Sequence, residues 1–195
     1  MRIDDNEQGN FCIGFRGVSH NDPDRRALLV FDTVIGGGAS SRLFQEIREE
    51  RGLAYNIGSY SREYHDTGKW IIFGSVEPRY VYECIATVMT ELRRARVEGI
   101  TAEELAQVKE QVKGGILLSL EDTWAIASRN GSHQLRYGRV IPIEQVVAEV
   151  EAVSRDDVLR VAQRVLRDDY LHMAVIGPYD DAADLENLLT VERPL

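Results

Sequence analysis

Apolar and polar positions divide this chain into a β-rich opening, a long helical middle and one late strand. Phe11-Cys12-Ile13-Gly14-Phe15 is a short aromatic and apolar run that predicts a strand, and residues 1–10 before it are polar and expected to be loose. Asn21-Asp22-Pro23 predicts a helix start, with Asp22 as N-cap and Pro23 at the first helical position. That helix should run to about Ile35 with Leu28, Leu29, Phe31 and Val34 inward. Gly36-Gly37-Gly38 ends it, because each glycine costs ~1 kcal/mol against alanine inside a helix. Ser40-Ser41 then caps a second helix, with Leu43, Phe44 and Ile47 on its inner face and Gly52 as its terminator. Residues 53–64 and 69–76 flank the turn Asp66-Thr67-Gly68 and predict an antiparallel hairpin.

Beyond Pro78 the period changes to 3.6. Tyr82, Ile85, Val88, Met89 and Leu92 form one stripe. Thr101 with Glu104 predicts a capping box, followed by Leu105, Val108, Val112, Ile116 and Leu120, with Gly114-Gly115 marking close packing or a bend. Helices are expected over 122–137 and 142–151, and after a second N-terminal box at Ser154 and Asp157. Residues 170–176 predict the last strand, and residues 181–189 a short helix. Strands at both ends with helices between them predict an α+β fold: a mainly antiparallel sheet, helices packed on one face, and the late strand returning to the early ones. A doubly wound sheet would need strands and helices in regular alternation. No linker or repeat divides the chain, so residues 11–195 are expected to form a single domain.

Composition narrows the function. The chain has 195 residues and a formal charge of −9, with 44% hydrophobic and 28% charged residues. This is globular composition without the basic footprint of a nucleic-acid binder or a polybasic membrane patch. No apolar run approaches the ~20 residues of a membrane helix, and the polar start is no signal peptide, so a cytoplasmic location is expected. The cysteines, Cys12 and Cys84, are too few and too isolated for a disulfide scaffold or a zinc module, and are expected to be free thiols.

Familiar catalytic motifs are absent. His20, His65, His133 and His172 are scattered, and neither H-E-x-x-H nor its inverse occurs. Three of them can meet only through the fold; the default is solvated or satisfied histidines, and no stoichiometric zinc is expected. There is no G-x-S-x-G elbow, and the Gly36–Gly38 loop lacks both the Lys-Ser/Thr of a phosphate loop and the dinucleotide spacing.

The most informative stretch runs from Gly36-Gly37-Gly38-Ala39-Ser40-Ser41-Arg42-Leu43-Phe44 through Arg48-Glu49-Glu50-Arg51-Gly52-Leu53-Ala54-Tyr55. It resembles the glycine loop, helix and strand in the C-terminal half of insulinase/pitrilysin-type zinc peptidases, the family of mitochondrial processing peptidase. Val76-Glu77-Pro78, Gly99-Ile100-Thr101-Ala102-Glu103-Glu104-Leu105, Leu117-Leu118-Ser119-Leu120-Glu121, Val153-Ser154-Arg155-Asp156-Asp157-Val158 and Val175-Ile176-Gly177-Pro178 extend the resemblance over roughly residues 11–178.

The resemblance implies one of two homologous α+β halves that enclose a chamber. The N-terminal half holds the zinc through H-x-x-E-H and a downstream Glu. The C-terminal half supplies no metal ligand, but an Arg and a Tyr seven residues apart, matched here by Arg48 and Tyr55. Both are hydrogen-bond donors able to hold a peptide carbonyl or its oxyanion. Without the resemblance, the ordinary reading is a solvated helix Arg and a Tyr packed in the sheet.

The expected function is therefore the substrate-binding half of a zinc-dependent endopeptidase, inactive alone. Its expected partners are the N-terminal zinc-binding half, in the same polypeptide or a separate chain, and a peptide substrate. A homodimer imitating the natural pair is a further expectation, since the face left by the missing half should be apolar. The alternatives are an assembly subunit like the core proteins of the respiratory cytochrome bc complex, and an unrelated binding module.

Overall fold

Strand β1 (Gly9–Gly17) alternates strictly: Phe11, Ile13 and Phe15 are buried, while Asn10 and Arg16 are exposed and Cys12 and Gly14 lie between. That alternation gives the sheet one core face and one open face. The computed structural model describes residues 8–179 and 183–193. Within them, β2 (Ala54–Glu63), β3 (Gly68–Val76) and β4 (His172–Ile176) complete an antiparallel sheet in the order β2-β3-β1-β4. Ile13 faces Ile72, Phe15 faces Trp70, and β4 returns to pair with β1 through Ile13 and Met173. At Gly74 the Phe11 ring fills the space above the strand: an added Cβ would meet its Cζ at 2.4 Å.

The helices cover the core face. They are α1 (Arg25–Gly36), α2 (Val81–Glu98), α3 (Ala102–Leu118), α4 (Thr123–Tyr137), α5 (Ile143–Glu151), α6 (Arg155–Val165) and the short α7 (Ala183–Glu186). One cluster joins Phe11, Ile13, Trp70 and Ile72 of the sheet to Phe31 and Ile35 of α1, Ile85 and Met89 of α2 and Val158 and Val161 of α6. Each such large side chain contributes ~1.5–3 kcal/mol on burial. The architecture is the α+β arrangement that the order of elements implies. Both capping boxes form, at Thr101 with Glu104 and at Ser154 with Asp157.

Several boundaries differ from expectation. Gly9 and Asn10, placed in the loose segment, belong to β1. Helix α1 starts two residues late, at Arg25, and the Asp22 carboxylate accepts from the Asp24 amide at 2.9 Å and pairs with Arg164 of α6 at 2.6 Å. The stripe of α2 begins at Val81 and Cys84, not at Tyr82, which is 48% exposed. Burial pushes the Cys84 thiol up to about 12. Helix α3 runs straight through Gly114-Gly115, where an added Cβ would meet nothing within 4 Å, so no close packing explains the pair. Only Val108 of α3 is buried, and α4 has no buried residue. The expected start of the final helix at 181 lies outside the described residues; α7 is described from 183.

The greatest departure falls between Ser40 and Gly52. Ser41 does not cap a regular α-helix; its hydroxyl donates to the Gly38 carbonyl at 2.6 Å. Phe44–Glu50 is instead a π-helical segment, whose hydrogen bonds close one residue further along the chain than those of an α-helix.

Candidate functional site

The π-helical segment is fixed at its start and its end. Arg42 donates to both carboxylate oxygens of Glu104, at 2.6 and 2.7 Å, and to the Gly99 carbonyl at 3.0 Å, which ties it to the N-terminus of α3. Burial alone would raise the Glu104 carboxyl, but the bonds from Arg42 and the Thr101 amide outweigh it and hold it below the usual range. Gln111 of α3 donates to the Gly37 carbonyl at 3.2 Å and so secures the glycine loop. At the far end, Gly52 takes φ +62°, a left-handed conformation natural to glycine, and the Leu53 amide reaches back to the Ile47 carbonyl at 2.9 Å. Ile47 and Leu53 are buried, so the reversal between Arg48 and Tyr55 is anchored from below.

Arg48 itself is exposed. Its guanidinium lies 4.9 Å from the centroid of the Phe44 ring, one turn earlier, a cation–π contact that leaves its N–H groups free to donate. Among the described residues it has no carboxylate partner.

Tyr55 reaches solvent through a β-bulge. Ala54 pairs with Val76 and Asn56 with Ser75, so Tyr55 is an extra residue with no partner on β3. In a regular strand Tyr55 would share a face with Ile57, which is 5% exposed, and would enter the core. The bulge breaks that parity, and Tyr55 is 55% exposed. Its hydroxyl donates to Glu77 Oε1 at 3.2 Å. That bond and the Glu77 charge raise the phenol above its ordinary value, so Tyr55 stays a neutral donor through the physiological range. Glu77 Oε2 accepts from Arg79 Nε at 2.6 Å.

Arg48 and Tyr55 thus stand at the two ends of one anchored reversal, each with its own neighbour; no described hydrogen bond or stacking contact joins them. Glu77 and Arg79 were not among the site residues the sequence reading named; Val76-Glu77-Pro78 entered it only as part of the family resemblance.

Three of the four histidines gather elsewhere. The His20 and His65 rings lie 5.6 Å apart, and Tyr137 sits edge-on between His20 at 5.3 Å and His133 at 5.6 Å. His20 Nδ1 bonds the Tyr64 carbonyl at 2.8 Å and His133 Nδ1 accepts from the Ile141 amide at 3.2 Å, so the cluster braces α4 against the sheet. Among the described residues no group of three or more His, Cys, Asp or Glu is arranged to hold a metal ion, so these residues do not fit a zinc centre. No described helix is long and apolar enough to cross a membrane.

Fold and site define an α+β domain that presents polar donors and carries no metal-ligand set among its described residues. The chain belongs to the peptidase M16 family as its inactive, C-terminal domain: the family described as "Peptidase M16 inactive domain" matches residues 1–112. An uncharacterized zinc protease of Bacillus subtilis, YmxG, is 36% identical over 91% of this chain, and one of Mycobacterium leprae is 35% identical over 96%. These matches span only 43% and 42% of the relatives' own length. Among solved structures, a peptidase M16 inactive domain from Pseudomonas fluorescens superposes over 90% of this chain and 42% of its own, with a TM-score of 0.82 at 20% identity. A chain of complex III from Candida albicans does so over 96% of this chain and 48% of its own, with a TM-score of 0.81 at 21% identity. At such identities these two likenesses concern the fold alone.

Proposed function

We propose that this chain, folded as one domain over residues 11–195, is the substrate-binding half of a zinc-dependent endopeptidase. In this reading Arg48 and Tyr55 reach across to a peptide held at the zinc of an N-terminal half. The observation that carries it is the bulge at Tyr55, which turns outward a phenol that strand parity would bury. Membership of the M16 family and the similarity to chains named zinc proteases support it.

The chemistry asked of this half is modest. Tyr55 supplies a neutral O–H and Arg48 a permanent positive charge, both suited to the oxygen of a peptide carbonyl as negative charge develops on it. The zinc and the carboxylate that activates water belong, by the family resemblance, to the other half, and the chain alone has no peptidase activity in this reading.

The test pairs the chain with its zinc-bearing half and measures kcat/KM on peptides. Arg48→Ala and Tyr55→Phe each lower it, by about 10²–10³-fold if the lost donor faces the oxyanion and by less if it only positions substrate. Full activity in both variants would sink the assignment and leave the assembly-subunit reading. Loss of folding in either would mean a structural role.

A further inference from the structure

We infer that Glu77 is a holding residue for Tyr55, and that the Tyr55–Glu77 hydrogen bond is exchanged for one to the substrate oxygen as the transition state forms. The inference rests on the reading of Tyr55 as a donor to substrate. A phenol has one proton to give. In the free chain that proton is directed at Glu77 Oε1, so it cannot simultaneously face a peptide oxygen. Either the bond is broken during the reaction or Tyr55 does not serve it.

Three features make exchange inexpensive. The bond is long: 3.2 Å, against a usual ~2.7–2.8 Å for O–H···O. Tyr55 is the extra residue of the bulge, so no cross-strand neighbour directly opposite pins its side chain. Glu77 also keeps a charged partner when the phenol leaves, because Arg79 Nε binds its other oxygen at 2.6 Å. Arg79 is itself steadied 4.6 Å from the centroid of the Tyr80 ring. The pair Glu77–Arg79 therefore sets how firmly Tyr55 is held. With Arg79 present the carboxylate is already satisfied and releases the phenol readily. Without it, Tyr55 is the one described side-chain partner the carboxylate has left, and the hold tightens. Glu77 makes no side-chain cap to the turn Pro78–Tyr80, so its replacement leaves the backbone there undisturbed.

The first measurement uses this chain alone: NMR titration of ¹³Cζ-labelled tyrosine in wild type, Glu77→Ala and Arg79→Ala. Tyr55 should titrate above the ordinary ~10 in wild type, fall to it in Glu77→Ala, and rise further in Arg79→Ala. The second uses the chain combined with its zinc-bearing half. Glu77→Ala should raise kcat about 2–10-fold with KM unchanged, the worth of one net hydrogen bond. Arg79→Ala should lower kcat, and the double variant should match Glu77→Ala, because Arg79 acts only through Glu77.

A Tyr55 titration that ignores Glu77→Ala overturns the inference, as does a fall in kcat in that variant. If Tyr55→Phe loses activity while Glu77→Ala gains none, the exchange alone is wrong. If Tyr55→Phe keeps full activity, the reading of Tyr55 as a donor fails first, and the exchange with it.

Discussion

Asp32 on α1 is a buried carboxylate with no cation paired to it among the described residues, and its removal should separate two effects. Its Oδ1 accepts from Trp70 Nε1 at 2.7 Å and from Ser59 Oγ at 2.5 Å. It thereby pins α1 to β2 and β3. Asp32→Ala would strip its partner from a fully buried indole N–H; Ser59 can fall back on the Asp32 carbonyl, already within 3.2 Å. One orphaned donor at ~1–3 kcal/mol, offset by no longer burying a charge, gives a net loss of about 1–2 kcal/mol. For a chain of this size that is a fall of about 2–8 °C in Tm. Asp32→Asn retains an acceptor oxygen and should cost ~1 kcal/mol or less at pH 7.

The pH dependence gives a second handle. Burial raises the Asp32 carboxyl above its ordinary 3.8, more than the hydrogen bonds from Ser59 and Trp70 lower it. The folded state therefore keeps this proton at pH values where the unfolded chain has lost it. By linkage, the Asp32 contribution to stability falls as pH rises above 3.8, opposite to a salt-bridged aspartate. The stability difference between Asp32→Asn and wild type should shift in favour of Asn between pH 4 and 7. Urea unfolding followed by tryptophan fluorescence suits the measurement, since Trp70 is fully buried while Trp124 is 77% exposed. A loss under ~1 kcal/mol in Asp32→Ala, or a difference for Asn that does not vary with pH, would refute the reasoning.

Gly36→Ala places a Cβ 2.5 Å from the Ser59 backbone nitrogen, so α1 and β2 must separate; a loss of about 1–3 kcal/mol in urea unfolding is expected. The Ser154 hydroxyl and amide, with Arg160, hold Asp157 at about 2 against an ordinary 3.8. The stability this supplies is complete above 3.8 and is lost as pH falls towards about 2. Ser154→Ala should lower stability at pH 7 by ~1 kcal/mol and flatten that acid limb in pH-dependent unfolding. Leu117, Leu118, Trp124 and Leu135, exposed by 57%, 68%, 77% and 90%, give α3 and α4 an uncovered apolar surface, and the chain should self-associate through it. Sedimentation velocity should show the dimer weakened at least tenfold by Trp124→Ser with Leu135→Gln, and an unchanged monomer at high concentration would count against this.

The fold was legible where one periodicity governs a whole element. Phe11, Ile13 and Phe15 declare a half-buried strand, and Ile85, Val88, Met89 and Leu92 a helix face, because each lines one side of its own backbone repeat. Asp32 was not legible, since it sits on the inner face of α1 beside Leu28, Phe31 and Ile35 and its partners lie 27 and 38 residues away. The candidate site was legible only as a spacing. Arg48 and Tyr55 are seven apart, but regular geometry across that interval would put Arg48 on the last turn of an α-helix and Tyr55 on the core face with Ile57. The chain instead inserts one residue into each repeat, as a π-helical turn under Arg48 and a bulge at Tyr55. Neither insertion has a residue signature, although Ile47, Leu53 and Ala54 between them are all buried. Both irregularities fall on the two residues that the resemblance singles out, and the bulge turns a side chain outward that strand parity would bury. A packed structural tyrosine would need no bulge, and that argues for the functional reading of Tyr55 more directly than its spacing from Arg48 does.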